Sequence, residues 1–296
     1  MRPADRSPRS SRLREFPLPP ASAYTAPAGP APTRRGSVRR PALAGRRPNL
    51  GLGLSALYLS VIVLIPLAAV VAKAVNQSPS AFWDSVTTPV ALRALGLALG
   101  VSIVVAAIGA VMGTVVAWVL VRDEFPGKRI LNAVIDLPFA LPTVVAGIAL
   151  LALYGPDSPF GVHLAFTRAA VLVALLFVTL PFVVRSVQPV LMELDHEVEE
   201  AAASLGASNA VTFRRIVLPA LRPAILSGAA LAFARSVGEI GSLLIIAVNV
   251  PIASTVIYSD IESDAPQAAA SLSLVLILLA LIVLFIIRRL GGRVAH

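Results

Sequence analysis

The chain has 296 residues, 57% of them hydrophobic and only 14% charged, with no cysteine. That balance, with a mean hydropathy of +0.83, excludes a soluble fold of this size, which could not bury so much apolar surface. Zero cysteine excludes a disulfide framework, thiolate catalysis and thiolate-ligated metals. His163, His196 and His296 are too scattered for a histidine metal cluster. The expected class is an all-α integral membrane protein.

The net charge of +9 is confined to one segment. Residues 1–49 hold 11 arginines against Asp5 and Glu15, and 10 of the 24 prolines. The remaining residues hold 14 basic and 14 acidic side chains, which cancel. A segment of this composition has no apolar periodicity and is expected to be a disordered basic cytoplasmic tail that helps to fix topology rather than to bind nucleic acid. No apolar h-region precedes Leu50, so it does not read as a signal peptide. A start codon assigned too far upstream would give the same composition.

A helix needs about 20 apolar residues to cross the bilayer core. Six stretches qualify, at roughly 52–72, 94–121, 134–154, 169–190, 223–248 and 267–287. The second runs 28 residues without a charge. The third contains Pro138 and Pro142, breaks that membrane helices tolerate where neighbours satisfy the freed carbonyls. Counting connections with the N-terminus inside and setting the tail aside, ten basic residues fall inside. Lys73, Arg93 and Arg168 fall outside, so both ends are expected in the cytoplasm. The organisation is then a tail over 1–49, a six-span domain over 50–290 and a short cytoplasmic tail over 291–296.

One polar connection is long, at 185–222. Its first half, 192–206, carries Glu193, Asp195, Glu197, Glu199 and Glu200 ahead of Ala201 to Ala203, which predicts a helix. Gly206 suits the left-handed residue that closes it, and Ser208 suits the cap of a second helix over 209–217, ending before Pro219. The expected element is a helix–turn–helix on the cytoplasmic face.

Within this loop, Glu200, Ala201 and Ala202, then Gly206, then Ile216, Val217, Leu218 and Pro219 stand at a specific spacing. The pattern resembles the EAA motif of importer-type ABC permeases. The resemblance covers about 50–290 and implies the six-helix permease fold, with residues 192–219 as the coupling loop that docks on a separate ATP-binding subunit. Glu200, Ala201, Ala202, Gly206, Ile216, Leu218 and Pro219 are its implied contacts. Further segments are similar to sulfate permeases of the T-subunit type: Asp136 to Thr143, Ser158 to Gly161, Leu180 to Arg185, and Phe233 to Glu239. The implied cargo is sulfate, with thiosulfate as a further one, and the alternative is molybdate or tungstate. The implied partners are ATP-binding subunits, a second homologous permease, an extracytoplasmic sulfate-binding protein and membrane lipid. The implied place is the plasma membrane.

Arg235 and Glu239 stand at i and i+4 in the fifth span and can pair on one face. Intramembrane charge points to function, either an ion pair that fixes packing or a gate, which is preferred, or an arginine that attracts an anion. Asp136 is expected near the cytoplasmic end of the third span, facing water or paired with an arginine. Gly238 and Gly241 permit close packing or a hinge. No G-x-x-x-x-G-K-[ST] occurs, so no ATPase site is expected on this chain, and ATP with its magnesium belongs to the partner. An intramembrane protease lacks a nucleophile and base within the spans. An ion-coupled secondary transporter would require an internal repeat, and none is evident.

Overall fold

The computed structural model describes residues 50–292. Backbone contacts separate Met1–Leu54 from Ser55–His296, and the packing below is that of the second unit. Among the described residues every regular element is a helix. The first, α1, runs Leu50–Leu59, passes a π-helical turn at Ser60–Leu64 and continues through Ile65–Val75. Then come α2 (Pro79–Val86), α3 (Pro89–Arg122), α4 (Lys128–Ala140), α5 (Thr143–Tyr154), α6 (Arg168–Glu193) and α7 (His196–Ser204). The next, α8, starts at Asn209–Thr212, passes a second π turn at Phe213–Val217 and extends through Leu218–Val237. Three helices follow: α9 (Gly241–Ile246), α10 (Ala253–Glu262) and α11 (Pro266–Gly292).

Among the described residues five helices are long and apolar enough to cross a bilayer, and a sixth crossing exists only if α4 and α5 count as one span. The axes of that pair differ by 117°, so of the two prolines expected to interrupt the third span Pro142 breaks it sharply, while Pro138 lies inside α4. Pro142 explains the break, because its ring bars Leu141 from helical geometry, and Leu141 is extended at φ −88° and ψ 132°. The amide of Leu141 closes α4 on the Leu137 carbonyl, and the Pro142 carbonyl opens α5 by accepting from Ala146.

The fifth span departs further from expectation. Pro219 does not end a helix: the chain runs straight from the loop into the membrane as α8. The π turn absorbs the proline, with the Leu218 amide bonding the Phe213 carbonyl five residues back. The helix then stops at Val237, and residues 238–240 separate it from the short α9.

Helices α3, α6 and α8 form the centre of the unit. They meet around Val183 of α6, which lies against Gly113 of α3 on one side and Gly228 of α8 on the other. A Cβ at Gly113 would lie 2.7 Å from the Val183 Cβ, and one at Gly228 would lie 2.8 Å from its Cα. Small residues thus let three backbones approach, which is how membrane helices gain dispersion energy when lipid is as apolar as leucine. One apolar cluster gathers Val183, Val184, Val187, Leu191, Val217 and Leu221 next to the loop. A second gathers Val105, Leu175, Phe233, Leu243 and Leu272 further along the bundle. By contrast α1 packs chiefly on α11 and exposes Leu57, Tyr58, Ile62 and Ile65, as suits a peripheral helix facing acyl chains.

Candidate functional site

The loop motif folds into two helices, with one correction. The helix expected over 192–206 is divided, because α6 runs on to Glu193 and α7 starts anew at His196. Asp195 makes the division by capping α7, its carboxylate accepting from the Glu197 amide at 2.9 Å. At the far end Gly206 has φ +83°. Its amide bonds the Ala203 carbonyl at 2.9 Å and the Ala207 amide bonds the Ala202 carbonyl at 3.0 Å. That reciprocal pair is a Schellman closure, for which glycine is the natural residue. Ser208 has extended geometry before α8, but its hydroxyl makes no cap bond. Its carbonyl instead accepts from Val211 and Thr212.

The loop presents its motif outward. Glu200, Ala201, Gly206, Leu218 and Pro219 are exposed, and Ala202 and Ile216 are half-buried. Between the two helices Leu205 is 90% exposed, an uncovered leucine flanked by the exposed Val198 and Val211.

What fixes the loop to the bundle was not apparent in the sequence. Arg122, at the end of α3, pairs with Glu199 and contacts the His196 imidazole. The same guanidinium stacks over Trp118 at 5.4 Å, and Trp118 meets Phe213 edge-on, also at 5.4 Å. The tethered glutamate is therefore Glu199, and its neighbour Glu200 points to solvent. Trp118 and Arg122 at i and i+4 on one helix were the available signal, but nothing in one sequence pairs residue 122 with residue 199.

Asp136 is arginine-paired, as one of its two expected settings required. Its carboxylate accepts a two-pronged bond from Arg185 of α6, at 2.7 Å from Nε and 2.6 Å from Nη2. Asn132 and Gln188 complete the cluster, with Arg185 donating to the Asn132 carbonyl at 3.0 Å and to Gln188. The network clamps α4 to α6 beside the break.

Arg235 and Glu239 form the expected ion pair at 2.7 Å. The pair straddles the end of α8, with the glutamate at the entry to α9. There its Oε1 accepts from both the Ser242 amide and the Ser242 hydroxyl, each at 2.9 Å. Its carbonyl accepts from Ser254 at 2.7 Å. The two broken spans then dock on each other. A Cβ at Gly241 would lie 2.2 Å from Thr143 Oγ1, and one at Gly147 would lie 2.8 Å from the Ser242 carbonyl oxygen. Gly241 therefore serves close packing. Gly238 does not, since a Cβ there would approach only the Ala234 carbonyl, at 4.0 Å.

Bilayer-length apolar helices define a multi-pass membrane protein, and comparison with known proteins gives the family. Residues 109–296 match the family described as binding-protein-dependent transport system inner membrane component. The chain belongs to that family. It is 44% identical over 254 residues to the sulfate transport system permease protein CysT of Synechocystis, covering 81% of this chain and 89% of that one. Identity to the protein of the same name from Salmonella typhimurium is 40%, covering 83% and 92%. In fold it is similar to a bacterial ABC transporter that imports the acidic polysaccharide alginate, with a TM-score of 0.68 at 15% identity over 83% of this chain and 95% of that one. It is also similar to the inward-facing MetNI methionine ABC transporter, with a TM-score of 0.59 at 19% identity over 74% and 100%.

Proposed function

We propose that this chain is a permease subunit of an ATP-driven importer of sulfate. The observation that carries the cargo is the 44% identity over 254 residues to a cyanobacterial protein named as a sulfate transport permease. The chain itself performs no bond chemistry. ATP and magnesium bind separate ATPase subunits, and an extracytoplasmic binding protein delivers the anion. A second, homologous permease completes the pathway. Both ends of the chain and the loop over 192–219 lie in the cytoplasm, consistent with the ten-to-three distribution of basic residues.

The loop is the part that receives force. Its exposed Leu205, with Val198 and Val211, supplies apolar area for an ATPase groove. Glu200 supplies a charge beside it, and Ala201, Ala202 and Gly206 permit close approach. Ile216, Leu218 and Pro219 lie within α8, at and just after its π turn, so displacement of the loop acts directly on the fifth span. Asp136, Arg235 and Glu239 mark the two broken spans as the gate region.

Uptake of labelled sulfate, thiosulfate and molybdate by a strain lacking its own sulfate permeases, supplied with this chain and its partner subunits, tests the reading. Sulfate uptake that needs the chain supports it, and uptake of molybdate alone replaces sulfate as the cargo. Because the chain has no cysteine, single cysteines report orientation against a clean background. Asn76→Cys and Gly161→Cys are labelled from outside, and Ser208→Cys only after the membrane is opened.

A further inference from the structure

Helix α8 leaves one face uncovered along its length. Pro223, Ser227, Leu231, Ala234 and Gly238 are all exposed and recur at helical spacing, forming a stripe from the loop to the break. Arg235 stands beside the end of that stripe. It and its partner have unlike surroundings, with side-chain exposures of 33% for Arg235 and 1% for Glu239.

The glutamate is consumed within the protein. One carboxylate oxygen takes both donors of Ser242 and the other takes Nη1 of Arg235. The arginine is not consumed. Its ion pair uses Nη1, and no other hydrogen bond or ion pair of Arg235 occurs among the described residues. A guanidinium is a planar fork whose donors match the oxygens of an oxyanion. Holding the break together is done by Glu239 with Ser242 and Ser254, and that task does not require an exposed cation. A transported ion must also be bound weakly enough to leave, and a buried counter-charge provides this by cancelling the net charge while leaving donors exposed.

We propose that Arg235 contacts the transported anion, meeting a tetrahedral oxyanion dianion with Nε and Nη2, and that Glu239 is a positioning residue that holds and neutralises it. The proposal rests on the anion-import reading above and gives that reading a residue.

The test is uptake kinetics in the complete transporter, with the amount of purified complex measured for every variant. Arg235→Gln should raise KM for sulfate roughly 10- to 100-fold, the loss expected for one charge-assisted contact. Arg235→Lys, which keeps charge without the fork, should fall between. Glu239→Gln keeps an acceptor for Ser242 and should lower KM and kcat together, because the anion is held longer. The exchange Arg235→Glu with Glu239→Arg should not restore transport, since an arginine at 239 cannot accept from Ser242. An unchanged KM in Arg235→Gln overturns the proposal, as does recovery of uptake in the exchange variant, which would show that only pairing matters. Should Arg235→Gln fail to assemble, Arg235→Lys decides, a raised KM supporting the assignment and an unchanged one overturning it. If the unaltered chain imports no oxyanion, the functional reading falls and the assignment with it. Normal sulfate uptake with indifferent Arg235 variants removes the assignment alone.

Discussion

The turn between α7 and α8 and the junction of the two broken spans both depend on glycine, for opposite reasons. At Gly206 the backbone is left-handed, with φ +83°, and a Cβ would meet nothing within 4 Å. At Gly147 and Gly241 the backbone is ordinary and the space is absent. The first glycine is required by conformation, the other two by contact. A conformational requirement is local and leaves the surface open for a partner. A contact requirement binds two distant segments and leaves no room for anything else.

Filling the junction should have the largest effect. An alanine at position 147 puts its methyl 2.8 Å from the Ser242 carbonyl oxygen and 2.9 Å from the Ser242 Cα, both of them backbone. Neither can swing aside, so α5 and α9 must separate. The cost is about 3 kcal/mol or more, at the upper end for an overpacked core. Gly147→Ala should sharply reduce the yield of monodisperse protein extracted from membranes. A normal yield with normal uptake would mean that the two broken spans do not dock as described.

Altering the turn should separate folding from function. Gly206→Val forces a β-branched residue into the left-handed region at a cost of about 1–2 kcal/mol, confined to the loop. Extraction yield should therefore match that of the unaltered chain, while ATP-dependent uptake is lost and the ATPase subunit no longer co-purifies. Glu200→Lys should give the same pattern through charge at the exposed surface. Uptake at the normal rate in both variants would remove the loop from power transmission.

The same contrast decides what could be read from the sequence. Gly206 was legible because its requirement lies within a few residues: an alanine-rich run before it and a serine after it. The helical class, four of the spans and the pairing of Arg235 with Glu239 were legible for the same reason, being written in periodicity and near neighbours. The break at Leu141 was half legible, since Pro142 was visible as a fault but the 117° bend was not. The break at 238–240 was half legible: Gly238 and Gly241 stood out as a packing site or a hinge, but Arg235 and Glu239 are the only charges in 223–248 and hydropathy does not register where a helix stops. Pro219 misled, because a π turn let the helix pass it. The docking of Gly147 on Ser242, and of Arg122 on Glu199, joins residues far apart in the chain, and no local signal encodes either.

A smaller effect should come from releasing the loop without touching its surface. Arg122 is 12% exposed and Glu199 21%, so their contact is partly shielded from water. Arg122→Ala removes it together with the stacking on Trp118, at a cost of about 1–3 kcal/mol. The chain should still insert and α7 should keep its caps, but its attachment to α3 is lost. Thermal unfolding of the purified complex should move down by a few degrees and uptake should fall several-fold without vanishing. Arg122→Lys, which keeps a charge near Glu199 but lacks the planar group that stacks on an indole, should recover only part of the loss. Full recovery by lysine would reduce the contact to simple charge attraction.

The smallest effect belongs to the basic segment ahead of the first span. Residues 1–49 carry the entire net charge of +9, yet the remaining chain keeps its own bias of ten basic residues inside against three outside. Orientation follows the lysines and arginines in short loops next to the spans, and Arg122, Lys128, Arg129, Arg288 and Arg289 all lie in or beside such connections. Deleting residues 1–40 still leaves Arg46 and Arg47 a few residues before the first span. Insertion should therefore proceed in the same direction, with Ser208→Cys still shielded from outside reagents. Sulfate uptake should stay close to that of the full chain, since the loop and the junction are both intact. If the deletion inverted the labelling of Ser208→Cys, the tail would be the determinant of orientation and the internal bias too weak to act alone. If labelling stayed normal while uptake collapsed, the tail would serve transport directly, as a third functional region beside the two compared above.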